Sequence, residues 1–462
     1  MTNQPASTGL RRDLGLAGAV AIVVGTVIGS GIFLVPKAMI LQVGSPSIVF
    51  AVWIFGGILT LFGALTYAEL AAAMPEAGGE YVYLREAYGP FFGFLYGWTQ
   101  TWVAKAASVA TLATGFYLYL ANFFPALERP LWVGDGGWLE IRIGQLLAIL
   151  VILALGVLNY FGVKVGGSVQ VIVTGLKVAM IVGIVVAALV SGQGQGANFG
   201  TSINAPGGFS GFFVALVAVL WAYDGWNNVN MVASEIKNPQ RNLPVALIAG
   251  TVLVIAVYLA TNLAYFYVLS ASDVAASDRV AAEMMRRVFG QSGASLVSLA
   301  AMISIFAALN GSLLSGSRVP YALARDGLFL KTIAYVHPRY ATPAHAILLL
   351  SVWSSVITLS GRYDQLYTLV IFPSWILYTM AAASVLVLRR RRPDMPRPYR
   401  TIGYPLVPIF FVIVALTLLF NTLRESPRES GIGLVLIAAG VPFYFHWSKR
   451  TAKFATKELK TH

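Results

Sequence analysis

The chain has 462 residues, of which 57% are hydrophobic and 11% charged, with 45 glycines and no cysteine. A composition this apolar, with so little solvating charge, excludes a soluble globular protein and points to a membrane protein. The formal net charge of +13 raises the question of a nucleic-acid or acidic-lipid partner, which the placement of the cations along the chain decides.

Apolar stretches of about 20 residues, each long enough to cross a hydrocarbon core of about 30 Å as a helix, recur from end to end. The pattern predicts twelve spans, over residues 15–42, 47–73, 90–122, 143–160, 167–191, 208–234, 244–270, 289–315, 344–361, 364–388, 402–422 and 430–447. The first follows Arg11 and Arg12 as a secretory signal would. It runs too long for one and has no small-residue cleavage site before the second span, so it is read as retained.

With the N-terminus in the cytoplasm, the cytoplasmic segments hold 21 of the 32 Lys and Arg, the opposite side 8 and the spans 3. The asymmetry is led by Arg389, Arg390, Arg391 and Arg392 and by Lys449, Arg450 and Lys453. It follows the positive-inside rule for a multi-pass protein of a cell's inner membrane with both termini cytoplasmic. The basicity therefore reports topology, and no nucleic-acid partner is expected. Without cysteine there is no thiolate metal site and no disulfide-linked partner subunit. The four His lack ligand spacing, so neither a metal nor a cofactor is expected.

Two spans are interrupted at mid-depth by glycine, the first at Gly29-Ser30-Gly31 and the sixth at Asp224-Gly225. Each opens a five-span unit, 15–191 and 208–388, after the N-terminal segment 1–14. Five is odd, so the second unit enters the membrane from the opposite side, and the repeat is inverted. Spans eleven and twelve, 402–447, add to that core before the tail 448–462. Paired interruptions at matching places point to a transporter site at the repeat interface. Most glycines in such a chain serve close helix packing. These two breaks differ because a hydroxyl or carboxylate accompanies them, and unwound backbone at that depth is tolerated only beside protein or a watery cavity.

A half-helix starting near Ile32 directs the amides of Ser30, Gly31 and Ile32 into such a cavity, at the positive end of the helix dipole, where a carboxylate binds. The Ser30 hydroxyl adds a donor. The upstream half-helices end in carbonyls near Val27 and Ile28 and near Trp221, Ala222 and Asp224, which accept from an ammonium. A positive pole beside an acceptor cluster suits a zwitterion, so a free α-amino acid is the implied ligand.

The segments Ile28-Gly29-Ser30-Gly31-Ile32-Phe33 and Trp221-Ala222-Tyr223-Asp224-Gly225-Trp226-Asn227 resemble the two site motifs of the amino acid–polyamine–organocation superfamily. The nearest branch is its L-type amino acid transporter family, including the bacterial alanine-serine-cysteine exchangers. The likeness extends to Tyr67-Ala68-Glu69-Leu70, to the run from Glu235 to Pro244 and to Ala324-Arg325-Asp326-Gly327, and so covers nearly the whole chain. It implies an all-α, twelve-helix membrane fold with a five-plus-five inverted repeat and discontinuous helices 1 and 6. It also implies that Ser30 and Gly31 hold the substrate carboxylate, that the carbonyls of Val27, Trp221 and Asp224 hold its amine, and that Trp221 is an outer gate. Family members often carry Phe at the gate and a small residue in place of Asp224.

Lys177 stands about ten residues inside the fifth span, or about 15 Å along the helix, where a lysine costs roughly 2.5–3.5 kcal/mol on insertion scales and usually marks function. In sodium-independent members of the superfamily, a lysine resembling Lys177 takes the place of the sodium ion that links helix 1 to helix 8. Lys177 is accordingly expected to bridge the broken end of helix 1 to polar groups of helix 8, such as Ser312 or Ser315. Lys105, in the third span, either lines the pathway or pairs with a carbonyl. Asp224 caps the second half of helix 6 or binds a cation or proton, and Asn227 contacts the ligand's carboxylate end or helix 1.

The function expected is sodium-independent exchange or facilitated uptake of neutral L-amino acids by alternating access. A proton-coupled permease, or a cationic amino-acid or polyamine antiporter in which Asp224 or Lys105 reads charge, is the alternative. A membrane nutrient receptor is the alternative from another class. No catalytic constellation supports an enzyme.

Overall fold

The computed structural model describes residues 9–134, 140–360 and 363–458. Ten helices are long and apolar enough to cross a membrane, and two shorter apolar helices, Gly208–Tyr223 and Ala344–Ser360, complete twelve crossings among the described residues. The one described sheet is a two-stranded antiparallel ribbon, Pro130–Val133 with Glu140–Arg142, between the third and fourth spans. The fold of the described residues is all-α but for that ribbon, with the first and sixth spans broken.

The predicted spans hold, with instructive shifts at their ends. The fifth begins at Val163, directly after Gly162 at φ 135°, and the seventh at Pro239, after Asn238 at φ 46°. In both, a left-handed residue turns the chain into the helix, and proline at the first helical position needs no amide partner. The eighth lies inside Val280–Gly316, where Phe289 and Gly290 break the helical geometry, so that a short outer helix precedes the membrane helix near the predicted start.

The sixth span departs furthest from expectation. Its first half is the helix Gly208–Tyr223, but the second half is one turn, Asn228–Met231, followed by the 3₁₀ turn Ala233–Glu235. Asn227, Asn228 and Asn230 crowd this segment, and their amides compete with the backbone for hydrogen bonds, which disfavours continuous helix. The third span, Pro90–Leu120, contains a π-helical segment, Gln100–Ala104, that ends immediately before Lys105.

The first piece of the first span packs against the fifth, seventh and eighth spans, and its second piece packs on the first half of the sixth, which also lies against the second and eleventh spans. Lipid-facing sides are apolar, as at Leu150, Ile172, Leu348, Ile413 and Phe420, all exposed.

Contacts between connecting segments follow the sidedness that twelve crossings require. On the side of the N-terminus, the backbone of Leu14 pairs with Glu235 and Lys237. Arg318 makes a fully buried ion pair with Glu235, at 2.7 Å, and Arg85 pairs with Asp326. Buried Glu69 receives Arg389 at 2.6 Å, Arg397 at 3.3 Å and the Thr401 amide at 2.7 Å. On the opposite side, Lys37 meets Asp278 at 2.6 Å, and Arg287 meets Asp273. The Tyr-Ala-Glu-Leu motif thus serves to hold the segment between spans ten and eleven, through Glu69.

Candidate substrate site

The first span is helical over Leu16–Val27, turns out at Ile28 (ψ 86°) and starts again as Gly31–Val43. The upper piece therefore begins one residue earlier than expected, and its first amides, at Gly31 and Ile32, have no preceding turn to bond to. Neither Gly29 nor Gly31 takes positive φ. Glycine is required at Gly31 by proximity: a Cβ there would lie 2.6 Å from Ala222 Cα. At Gly225 it is required by conformation, with φ 102°.

The two breaks face and hold each other. Thr26 Oγ1 donates to the Gly225 carbonyl at 2.9 Å, and the Tyr258 hydroxyl lies 2.8 Å from the carbonyl oxygens of both Val27 and Ala222. Between the breaks lies a small polar cavity of about 20 Å³, lined by Thr26, Val27, Gly29, Ser30, Gly31, Ser108, Leu112, Trp221, Asp224, Gly225, Asn228 and Ser312. That is room for about one water molecule, so the cavity admits an amino acid only when the bundle moves.

Of the residues singled out in the sequence, Val27, Gly29, Ser30, Gly31, Trp221 and Asp224 line the cavity; Ile28, Ala222 and Asn227 do not. The Ile28 carbonyl is turned away and accepts from Lys177 Nζ and, at 2.9 Å, from Ser304 Oγ. The Ala222 carbonyl is taken by Tyr258. Asn227 Nδ2 donates to Glu80, and it is the next residue, Asn228, that faces the cavity. In a segment without regular helix the 3.6-residue phase does not apply, so the sequence could not say which asparagine faces inward.

Lys177 is fully buried and donates to the carbonyls of Gly25, at 2.6 Å, and Ile28, where the helix ends. Gln170 and Thr174, on the same helix face, each donate to the Ala21 carbonyl at 3.2 Å. The link from Ile28 to the eighth span runs through Ser304. The expectation of Ser312 or Ser315 is corrected: Ser315 bonds back to Gly311, and Ser312 lines the cavity.

Lys105 Nζ donates to the side-chain amide oxygen of Asn228 at 2.7 Å. The π-helical segment just before it shifts the helix phase, bringing both Lys105 and Ser108 to the inner face. Asp224 takes extended geometry, and its carboxylate accepts from the Tyr378 hydroxyl of the tenth span at 3.1 Å. The Gly225 backbone amide also faces that carboxylate.

An amino acid permease family model matches residues 14–441. The chain belongs to the amino acid permease family. It is 34% identical to the serine/threonine exchanger SteT of Bacillus subtilis, over 96% of this chain and 98% of that protein. It is 33% identical to the mouse b(0,+)-type amino acid transporter 1, over 98% and 93%. It is 30% identical to the human cystine/glutamate transporter, over 96% and 87%. These relatives place this permease in the L-type branch of the amino acid–polyamine–organocation superfamily, among transporters rather than enzymes.

Proposed function

We propose that this permease carries neutral L-amino acids by alternating access, as an exchanger or facilitator that needs no sodium. The reading rests on one observation: a small cavity lies where two broken helices present opposite backbone poles. The substrate carboxylate meets the amides at Ser30, Gly31 and Ile32. Its ammonium meets the carbonyls on the other side, that of Asp224 and those of Val27 and Trp221 that opening releases. Trp221 closes the outer side. The repeats 15–191 and 208–388 supply the moving and static parts. Lys177 does electrostatically what a sodium ion would do, holding the end of the first helix to the fifth while Ser304 holds it to the eighth.

The location is a cell's inner membrane with both termini cytoplasmic, supported by the Lys and Arg asymmetry. One relative, from mouse, is named as a small subunit of a large neutral amino acids transporter. Any partner of this chain is held without a disulfide, since it has no cysteine.

Counterflow in proteoliposomes tests the reading: alanine, serine and leucine should exchange equally in sodium-containing and sodium-free buffer. Uptake that disappears without sodium contradicts it. Asp224 on the cavity wall favours a second reading, in which a cationic side chain or a polyamine is the ligand. Competition by arginine and putrescine, set against alanine and leucine, separates the two.

A further inference from the structure

Glu80 opens a short helix, Glu80–Tyr88, between the second and third spans, yet its side chain is fully buried. Its two oxygens are both engaged. Tyr96 of the third span donates its hydroxyl to Oε2 at 2.8 Å, and Asn227 of the unwound sixth span donates Nδ2 to Oε1. Gly79, at φ 58°, lets the chain enter here: a Cβ on it would meet the backbone of Met231 at 3.0 Å.

The surroundings of this carboxylate come from five elements. Tyr67 of the second span, Tyr83 of its own helix, Tyr96 of the third span and Tyr378 of the tenth all face it. Lys105 is the cation that opposes it, and Lys105 is shared with the Asp224 carboxylate. Two buried carboxylates with one ammonium between them leave one negative charge uncompensated when all are ionised. A protein interior avoids that by taking up a proton.

We infer that Glu80 is a proton-responsive positioning residue: its ionised carboxylate braces the unwound sixth span through Asn227, and so sets Asn228, the partner of Lys105, at the cavity. Burial pushes the Glu80 carboxyl up to about 7, against the opposing effects of its hydrogen bonds from Tyr96 and Asn227 and of Lys105. Bonds to an ionised acceptor are roughly twice as strong as neutral ones. Protonation also obliges one of the two donors to turn round. The brace is therefore strong above about pH 7 and weak below it.

The inference rests on the cavity being the amino-acid site. It is tested by counterflow KM for a neutral amino acid between pH 6 and pH 8 in the intact protein and in three variants. A single group titrating near 7 raises the KM of the unaltered protein about tenfold on going from pH 8 to pH 6. Glu80→Gln carries no charge, so its KM is high and flat across the range. Glu80→Asp keeps the inflection. Tyr96→Phe removes a bond to the charged form, so the inflection moves to higher pH.

A purely structural role for Glu80 lowers the yield or rate of Glu80→Gln and leaves its pH profile parallel to the unaltered protein's; that result overturns the inference. Should Glu80→Gln not fold, an unmoved inflection in Tyr96→Phe overturns it equally. Failure of the underlying site assignment looks different, as an absence of saturable counterflow in the unaltered protein at every pH.

Discussion

The close approach of the two breaks makes Gly31→Ala the sharpest perturbation available. An added Cβ would sit 2.6 Å from Ala222 Cα and 2.7 Å from its Cβ, and 3.4 Å from its amide nitrogen. Carbon atoms rest at about 3.5–4.0 Å, so the broken helices must separate by about 1 Å. Backbone atoms cannot swing aside as a side chain end does. Overpacking of this kind costs about 1–3 kcal/mol, which at 1.4 kcal/mol per factor of ten is roughly a fivefold to hundredfold loss of substrate affinity. Two other glycines calibrate the effect. At Gly29 the nearest neighbour is Leu112 Cδ2 at 3.1 Å, the end of a side chain that yields, and Ala308 Cβ at 3.4 Å is at ordinary contact, so Gly29→Ala should be milder. At Gly183 on the fifth span an added Cβ meets nothing within 4 Å, so Gly183→Ala should transport normally. The assay is counterflow in proteoliposomes normalised to inserted protein. A Gly31→Ala protein indistinguishable from Gly183→Ala refutes the claim that the breaks touch at the site.

Lys177→Met removes two charge-assisted bonds, each worth about 1.5–3 kcal/mol, and leaves the Ile28 carbonyl with Ser304 alone; exchange should fall at least tenfold, and normal exchange in that variant contradicts the bridging role. Tyr258→Phe unties Val27 from Ala222; it should lower the melting temperature and cost about 1–3 kcal/mol, as loss of a buried partner does. Asp224→Asn should abolish competition by arginine and putrescine if those bind at the cavity, while leaving competition by leucine nearly intact. For Glu80, the sign of the stability effect is opposite to that on affinity. Its folded carboxyl binds a proton more tightly than the open chain's, at about 7 against 4.5, so stability is greatest below pH 4.5, falls as pH rises through that window and is level above it. Melting temperatures measured from pH 5 to pH 7 should fall in the unaltered protein, with a shallower fall in Glu80→Gln.

Much of this was written in the sequence because the membrane imposes simple rules. Twelve spans follow from hydropathy, and glycine beside a hydroxyl or a carboxylate at mid-depth marked both breaks. A lysine in the middle of an apolar span identified Lys177, whose carbonyl partners at Gly25 and Ile28 lie at the break itself. What escaped was phase and long-range meeting. The π-helical segment at Gln100–Ala104 has no hydropathy signature, yet it sets where Lys105 and Ser108 point. Asn228 replaced Asn227 at the cavity because the sixth span unwinds further than one glycine implied. Ser304 is one of several hydroxyls on the eighth span, and only packing selects it. Glu80 lay in a polar connection, where a carboxylate is ordinarily solvated; the preceding Gly78-Gly79 pair, both at positive φ, was the one available sign that the chain dives inward there.

The central claim is that an amino acid lies between the poles of the two broken helices. A structure determined with a bound neutral L-amino acid tests it most directly. The substrate carboxylate should lie within hydrogen-bond distance of the amides at Ser30, Gly31 and Ile32, with its ammonium toward Val27, Trp221 and Asp224. Substrate found elsewhere, with the first and sixth spans still closed on each other at Gly31 and Ala222, contradicts it.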